Sequence, residues 1–284
     1  MGDGSTVESQ SVGVEKEHRL IAWLRDAGRV AVGYSGGVDS AYLAAVAVEA
    51  LGNDRVLAII GRSASYPLSQ WNAARALAGR IGLSVIEVDT DELDDPRYAA
   101  NPTNRCYFCK TELWSRLAPL ARASGIDVLV DGTNADDLSD YRPGAQAARE
   151  HGVASPLAHL GFTKSEIRAR SCMRGLPTWD QPSSPCLSSR IPYGTAVTRE
   201  RLLAIERAEA ALRELGVSGD LRVRHHGDLA RIELASDQLI QWLSPAEAER
   251  LCQAVMTAGY SRVALDLRGF RSGSLNVLGG VTTA

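Results

Sequence analysis

Cys106 and Cys109 form a C-x-x-C pair at the start of a helix-like stretch, and a third cysteine, Cys186, stands in a proline-rich segment far along the chain. The thiolate is the reactive form of cysteine, as nucleophile and as metal ligand. Two thiols on one turn and a third brought from a distance can converge on one point, which leaves three chemistries open. Three thiolates suffice for a [4Fe-4S] cluster with one iron free of protein ligands and able to bind an extra sulfide. A structural Zn2+ needs a fourth ligand, for which His225, His226 or an acid is available. A dithiol redox pair, with Cys186 as a separate sulfur donor, is the third arrangement. Cys172 and Cys252 fall in helical stretches and read as small buried hydrophobes.

The strongest local signal is Tyr34-Ser35-Gly36-Gly37-Val38-Asp39-Ser40, between a strand-like run and a helix-like one. A helix N-terminus presents unpaired N–H groups and the positive end of the dipole, and glycines let an anion approach the backbone. Ser35 and Ser40 add hydroxyls. Asp39 fits the same place, because a carboxylate at a helix start is favoured by the dipole and can cap the turn or help to hold Mg2+. No lysine follows the second glycine, so this is not a Walker loop, and the spacing of a dinucleotide fingerprint is missing too. A second turn, Asp131-Gly132-Thr133-Asn134, follows another strand-like run, at the edge where open α/β sheets bind ligands. Gly132 and Thr133 are therefore candidates to lie beside a nucleotide. Asp136 is a further candidate for a metal, although Asp136 and Asp137 also read as solvated acids of an Asx-rich turn.

Arginines supply the remaining candidates. Arg222 and Arg224 share one strand face by period two, with Val223 opposite, and Arg190 follows Cys186 by four residues. Planar guanidinium forks suit carboxylates and phosphates, so the three are candidates for substrate binding, although alternating Arg and Val also describes any half-buried strand. Trp179 and Tyr193 flank the proline-rich segment and serve either to stack on an aromatic ring or to pack.

These residues need a frame. Residues 29–34, 55–60, 84–88 and 128–131 are short, β-branched, nearly continuous apolar runs, as strands buried on both faces should be. Helical stretches at 40–51, 68–81 and 106–124 separate them, each followed by a glycine suited to the C-cap. Alternation of strand and helix implies an α/β fold with a doubly wound parallel sheet. Thr163 and Glu166 make a capping-box pattern before a helix to residue 174. Residues 175–195, with four prolines and two glycines, read as an ordered connector. Beyond it, helices at 198–215 and 245–258 and strands at 221–225, 230–235 and 262–267 make a smaller α+β domain, with His226-Gly227-Asp228 as a hairpin turn. The expected division is a tail over 1–14, a nucleotide-binding domain over 15–174, the connector with Cys186 over 175–195, the α+β domain over 196–272 and a flexible tail over 273–284.

The loop Ser35–Ser40 resembles the PP-loop of the N-type ATP pyrophosphatase superfamily, whose members cleave ATP between the α and β phosphates and adenylate a substrate oxygen. Four further segments narrow the likeness: residues 101–110, residues 131–137 continuing through 140–144, residues 184–194 and residues 221–227. Together they resemble the LarE family of ATP-dependent sulfur transferases, over about residues 15 to 270. The resemblance implies adenylation of a carboxylate of pyridinium-3,5-biscarboxylic acid mononucleotide and its conversion to a thiocarboxylate, in the making of a nickel-pincer cofactor. It implies ATP and Mg2+ on Ser35, Gly36, Gly37, Val38, Asp39 and Ser40, with Asp39, Cys186 and Arg190 in the chemistry. Sacrificial members of the family carry a single cysteine at the position of Cys186. The additional Cys106 and Cys109 depart from that form and resemble a three-cysteine type that carries a [4Fe-4S] cluster. The resemblance also implies a symmetric homo-oligomer, such as a hexamer, and transient contact with other enzymes of the nickel-pincer pathway.

Net charge is −3 at pH 7, and residues 196–284 carry 11 basic and 11 acidic side chains. Neither part of the chain is a basic domain, so a large nucleic acid partner is not expected. That weighs against a tRNA thiolation enzyme, which would combine the same loop and cysteines with a basic RNA-binding module. An adenine-nucleotide-binding module without catalysis is the other alternative. The first seventeen residues lack a basic or apolar leader pattern, and no apolar run approaches the ~18 residues of a membrane span, so a cytoplasmic location is expected.

Overall fold

The computed structural model describes residues 4–138, 143–182 and 185–271, with side chains from residue 13 onward. The expected tail over 273–284, and residues 140–142 and 184 of the motifs above, lie outside the described residues. The four apolar runs form β1 (Val30–Gly33), β2 (Val56–Arg62), β3 (Ser84–Asp89) and β4 (Val128–Val130), all parallel, in the order β3-β2-β1-β4. Around them run α1 (Gly4–Ala27), α2 (Val38–Leu51), α3 (Leu68–Arg80), α4 (Pro96–Ala99), α5 (Arg105–Ala123), α6 (Pro143–Glu150), α7 (Pro156–His159) and α8 (Lys164–Met173).

β1 and β4 are apolar throughout, and β2 is apolar as far as Gly61, because both faces are covered there, whereas the edge strand β3 carries Ser84, Glu87 and Asp89 and buries no residue fully. Val30 and Val32 point to a core completed by Leu20 and Leu24 of α1, Leu43 and Val46 of α2, Leu77 of α3 and Ile167 of α8. Ala31 and Ile59 point the other way, onto Trp114, Leu117 and Ala121 of α5 and Ala147 of α6. Each fully buried aliphatic side chain contributes about 1.5–3 kcal/mol, so the two layers fix the strand register. Strand order reverses between β1 and β4, and the chain turns of interest, after β1 and after β4, leave the sheet at that switch point.

The second sheet holds β5 (Leu221–His226), β6 (Leu229–Leu234) and β7 (Arg262–Leu265). β5 and β6 are antiparallel, with Gly227-Asp228 as the two-residue turn between the paired His226 and Leu229. α10 (Pro245–Met256) crosses over to the parallel β7, and α9 (Arg199–Glu214) packs Ala208 and Leu212 on Val223 and Ile232. A further cluster of Tyr98, Leu187, Ile191, Val197, Leu202 and Ile205 buries the connector against α4 and α9.

Two features differ from the sequence reading. The chain is helical from Gly4, where a tail was expected, because no proline interrupts the helix whose later turns pack Leu20 and Leu24. Cys172 is exposed, since the neighbouring Ser171 and Ile167 take the buried face of α8. No helix among the described residues is long and apolar enough to cross a membrane.

Candidate functional site

The first functional turn is built on Gly37, the N-cap of α2, which offers no side chain to its N–H groups. Ser40 Oγ accepts from the Ser35 N–H at 3.3 Å and donates to the Gly37 carbonyl at 3.2 Å, closing the loop on itself. Gly36 is obligatory twice over: its φ is +67°, and a Cβ there would lie 2.4 Å from the Ala74 Cβ of α3. The loop therefore leaves the start of α2 without a side-chain cap, as phosphate binding at a helix start requires.

The β4 turn leans on this loop. A Cβ on Gly132 would stand 2.8 Å from the Ser40 nitrogen and 3.2 Å from the Asp39 Cβ, so only glycine permits the approach. Asp131 organises the turn by accepting from the Thr133 N–H at 3.1 Å and from the Ser155 hydroxyl at 2.7 Å. Asn134 caps Asp136 and donates to Asp39 Oδ1 at 3.4 Å. Asp136 Oδ2 accepts the Lys164 N–H at 2.8 Å, which ties this candidate metal residue to the first turn of α8. The Thr163–Glu166 capping box forms as the sequence pattern required.

Sequence reasoning missed Lys164. Its ammonium is ion-paired with Asp39 Oδ2, across 125 residues of chain. A signal was present, because Lys16, Lys110 and Lys164 are the only lysines among 31 basic residues. Tyr66 and Gln70 were missed too; they donate to the Ser35 carbonyl at 2.9 and 3.0 Å.

The residue before Tyr66 reaches the sulfur side. The Ser65 carbonyl accepts the Leu187 N–H at 2.8 Å, directly after Cys186. The cysteine segments are joined by Tyr98 and Asn101. Tyr98 Oη and Ser188 Oγ are 2.6 Å apart, and buried Asn101 donates from Nδ2 to the Pro192 and Thr195 carbonyls at 2.8 and 2.9 Å. Asn101 does so with φ at +57°, a conformation asparagine tolerates better than most residues. The residues 101–110 motif is thus a clamp that holds the connector beside α5. Burial pushes the Cys109 thiol well up, and the negative charges of Glu92, Cys186 and Cys106 push the same way, while Lys110 opposes them. Cys186 and Cys106 therefore each lie within electrostatic reach of Cys109. Glu92 is buried, held by the Ser65 and Thr90 hydroxyls at 2.9 and 3.0 Å. Among the described residues no three ligating side chains stand in an arrangement ready to hold a metal; Cys106 is exposed on the first turn of α5.

The arginines sit behind Cys186. Arg190, 2% exposed, makes a two-pronged pair with Glu209 at 2.9 Å on each side and donates to the Pro185, Cys186 and Ser189 oxygens. Arg224 binds Glu233 at 2.8 Å and the Ser189 carbonyl at 2.9 Å. Arg222 shares that face, as period two required, and donates to the Leu221 carbonyl at 2.6 Å with its guanidinium over Phe270. Burial and then the neighbouring Arg190 bring Arg222 down to about 10. The strand is covered rather than open: Arg190 and Arg224 brace the turn that carries Cys186. His225 lies on the opposite, core-facing side, its Nδ1 3.1 Å from the Tyr260 hydroxyl, where burial lowers its pKa. Tyr193 packs under Arg105, and half-exposed Trp179 gives its carbonyl to Arg168.

A parallel sheet with this glycine turn has known relatives. The NAD synthase family model matches residues 22–124, from α1 through α5. The pyridinium-3,5-bisthiocarboxylic acid mononucleotide synthase of Lactiplantibacillus plantarum is 36% identical over 261 residues, 92% of this chain and 94% of that protein. The chain belongs to the LarE family. An uncharacterised Synechocystis protein is 48% identical over 248 residues, 87% of this chain and 92% of its own length. The likeness to the ammonia-dependent NAD synthetase of Methanosarcina mazei, 40% over 93 residues, covers 30% of this chain and 36% of that protein. As a LarE-family chain the protein is an ATP-utilising sulfur transferase on a PP-loop α/β fold, and the family implies ATP with Mg2+.

Proposed function

We propose that this enzyme adenylates a carboxylate of pyridinium-3,5-biscarboxylic acid mononucleotide and exchanges the activated oxygen for sulfur, in nickel-pincer cofactor biosynthesis. One observation carries the reading: consecutive residues of the loop after β2 tie the glycine turn to the chain leaving Cys186, Tyr66 on the Ser35 carbonyl and Ser65 on the amide after Cys186. A carboxylate resists nucleophiles because of its charge, whereas a mixed anhydride with AMP has a good leaving group. The carboxylate oxygen bonds to the α-phosphorus and pyrophosphate departs. Sulfur then bonds to the carbonyl carbon, the carbon–oxygen bond to AMP breaks, and a thiocarboxylate remains.

In this reading the N–H groups and hydroxyls of Ser35–Ser40 stabilise the departing pyrophosphate, and Gly132 and Thr133 flank the adenylate. Asp39 helps to hold Mg2+, with Asp136 next to it. Arg190 and Arg224 keep the turn of Cys186 in place, and Arg222 lies behind them on the same buried strand face. Cys106, Cys109 and Cys186 are the ligands for a [4Fe-4S] cluster. What supports this is the chemistry of the donor set, three thiols of which Cys106 and Cys186 each lie within electrostatic reach of Cys109; exposed Cys106 has to turn inward to join them. With three thiolate ligands, one iron stays open to an added sulfide, which is the chemistry such a cluster would supply. The enzyme acts in the cytoplasm as a homo-oligomer, a hexamer, and meets other enzymes of the pathway only transiently.

The test is anaerobic incubation of reconstituted enzyme with ATP, sulfide and the dicarboxylated nucleotide, with mass analysis of product and protein. AMP, pyrophosphate and a product with oxygen replaced by sulfur are expected, with iron lost in Cys109→Ala. Absence of pyrophosphate overturns the adenylation. Conversion of Cys186 to dehydroalanine in each turnover overturns the cluster and makes that cysteine the donor.

A further inference from the structure

Two faces of α9 pack in different directions. Ala204, Ala208 and Leu212 lie on the second sheet, whereas Leu202 and Ile205 lie on the connector and on Tyr98 of α4. Glu206 and Glu209 extend that second face, since 202, 205, 206 and 209 follow the helical spacing. Glu209 holds Arg190 behind Cys186 and accepts the Val223 N–H at 3.0 Å. Glu206 reaches across to α3 instead: its Oε1 accepts the Leu68 N–H, the first of that helix, at 2.7 Å and across 138 residues of chain.

That bond falls where α3 lacks a cap of its own. Pro67 stands at the N-cap and offers no side-chain oxygen, and the Leu68 side chain is 57% exposed, so its burial does not fix the first turn. A carboxylate at this point satisfies an orphan N–H and meets the positive end of the helix dipole. What α3 supports is the glycine turn. Gln70 and, two residues ahead of Leu68, Tyr66 both donate to the Ser35 carbonyl, and the Tyr34 hydroxyl donates to the Ala74 carbonyl at 3.3 Å. Ala74 in turn closes on Gly36 so tightly that no Cβ fits there. Residues 66–74 are thus a plate behind the turn, and Glu206 fastens it near one end.

We propose that Glu206 is a positioning residue for nucleotide binding, a cap supplied from α9 that holds the first turn of α3 and, through Tyr66 and Gln70, keeps the Ser35 carbonyl in place. This rests on the reading of Ser35–Ser40 as the nucleotide loop. One helix then steadies both sides of the site with carboxylates a turn apart, Glu209 behind Cys186 and Glu206 behind the glycine turn. Without Glu206 the turn keeps its internal bonds between Ser35, Gly37 and Ser40, so the fold stands and the loss falls on the phosphates that the turn receives.

Calorimetric titration of the full chain with ATP and with AMP tests this, on wild type, Glu206→Ala, Glu206→Gln, Tyr66→Phe and the double variant Glu206→Ala/Tyr66→Phe, together with hydrogen exchange at residues 66–72. In Glu206→Ala, ATP affinity falls about fivefold, the size of a lost helix cap, AMP affinity stays within about twofold, and exchange at Leu68 quickens. Glu206→Gln keeps an acceptor and recovers part of the ATP affinity. In the double variant the two losses do not multiply, because both act on the Ser35 carbonyl. Equal loss for AMP and ATP marks a merely structural carboxylate and overturns the proposal, as do wild-type ATP affinity in Glu206→Ala and losses that multiply in the double variant. Unchanged exchange at Leu68 in a Glu206→Ala chain that binds ATP overturns this inference alone. If the wild type binds no ATP, the nucleotide-loop reading fails and takes this inference with it.

Discussion

Glu17 offers the sharpest test of how α8 is held. It is 4% exposed, and its carboxylate accepts from the Tyr42 hydroxyl at 2.7 Å, from Arg170 Nε at 3.0 Å and from Arg174 Nη2 at 2.9 Å. Burial alone raises the pKa of a carboxyl. Here the hydrogen bonds from Arg170, Arg174 and Tyr42 outweigh burial and hold Glu17 down at about 2, from an ordinary 4.5. A depression of roughly two and a half units corresponds to about 3 kcal/mol of folding stability. Because the folded pKa is the lower one, that stability is fully present above the unfolded value and is lost as pH falls from 4.5 towards 2. Glu17→Gln keeps the shape and an acceptor but leaves the two guanidiniums without this counter-charge, although Arg174 retains Glu49. Urea unfolding followed by circular dichroism, repeated from neutral pH to about pH 3, should show the variant less stable by about 3 kcal/mol at neutrality. That gap should narrow steadily in acid. Two curves that stay parallel at every pH would refute the reasoning, since the difference would then owe nothing to the ionisation of Glu17.

Gly132→Ala should cost about 1–3 kcal/mol of stability, as overpacking does, and slow pyrophosphate release at least tenfold, because its Cβ meets Ser40 and Asp39. A stopped pyrophosphate assay with wild-type rate would show that the two turns do not need to touch. Iodoacetamide near neutral pH, followed by peptide mapping, should label the exposed Cys106 and Cys172 well before Cys109. Labelling of Cys109 should grow only as pH rises past the ordinary thiol range or when urea is added, since burial keeps it protonated. Early labelling of Cys109 would contradict its placement.

The frame was readable because its causes are local. β-branched runs such as residues 56–60 could only be strands covered on both sides, glycines after the helices marked their ends, and Thr163 and Glu166 spelled out a cap within four residues. The glycine turn was readable for the same reason. What escaped notice depended on partners remote in the chain. Lys164 gains its meaning from Asp39, and Asn101 from carbonyls at 192 and 195. Period two correctly put Arg222 and Arg224 on one face, but not what covers that face, because Glu209, Glu233 and the connector arrive from other elements. Cys172 shows the limit of composition: cysteine favours interiors, yet the helix phase set by Ile167 and Ser171 turned it outward.

Ser65 and Tyr66 have a consequence for how such an enzyme can change. They span from the glycine turn, where the Tyr66 hydroxyl sits on the Ser35 carbonyl, to the chain leaving Cys186, where the Ser65 carbonyl takes the Leu187 N–H. Under the proposed function, donor chemistry on the far side can be rebuilt, with cysteines added or removed, while the span from glycine turn to Cys186 stays constant. Inserting a single residue there would leave two intact half-machines, out of step by the width of one amino acid.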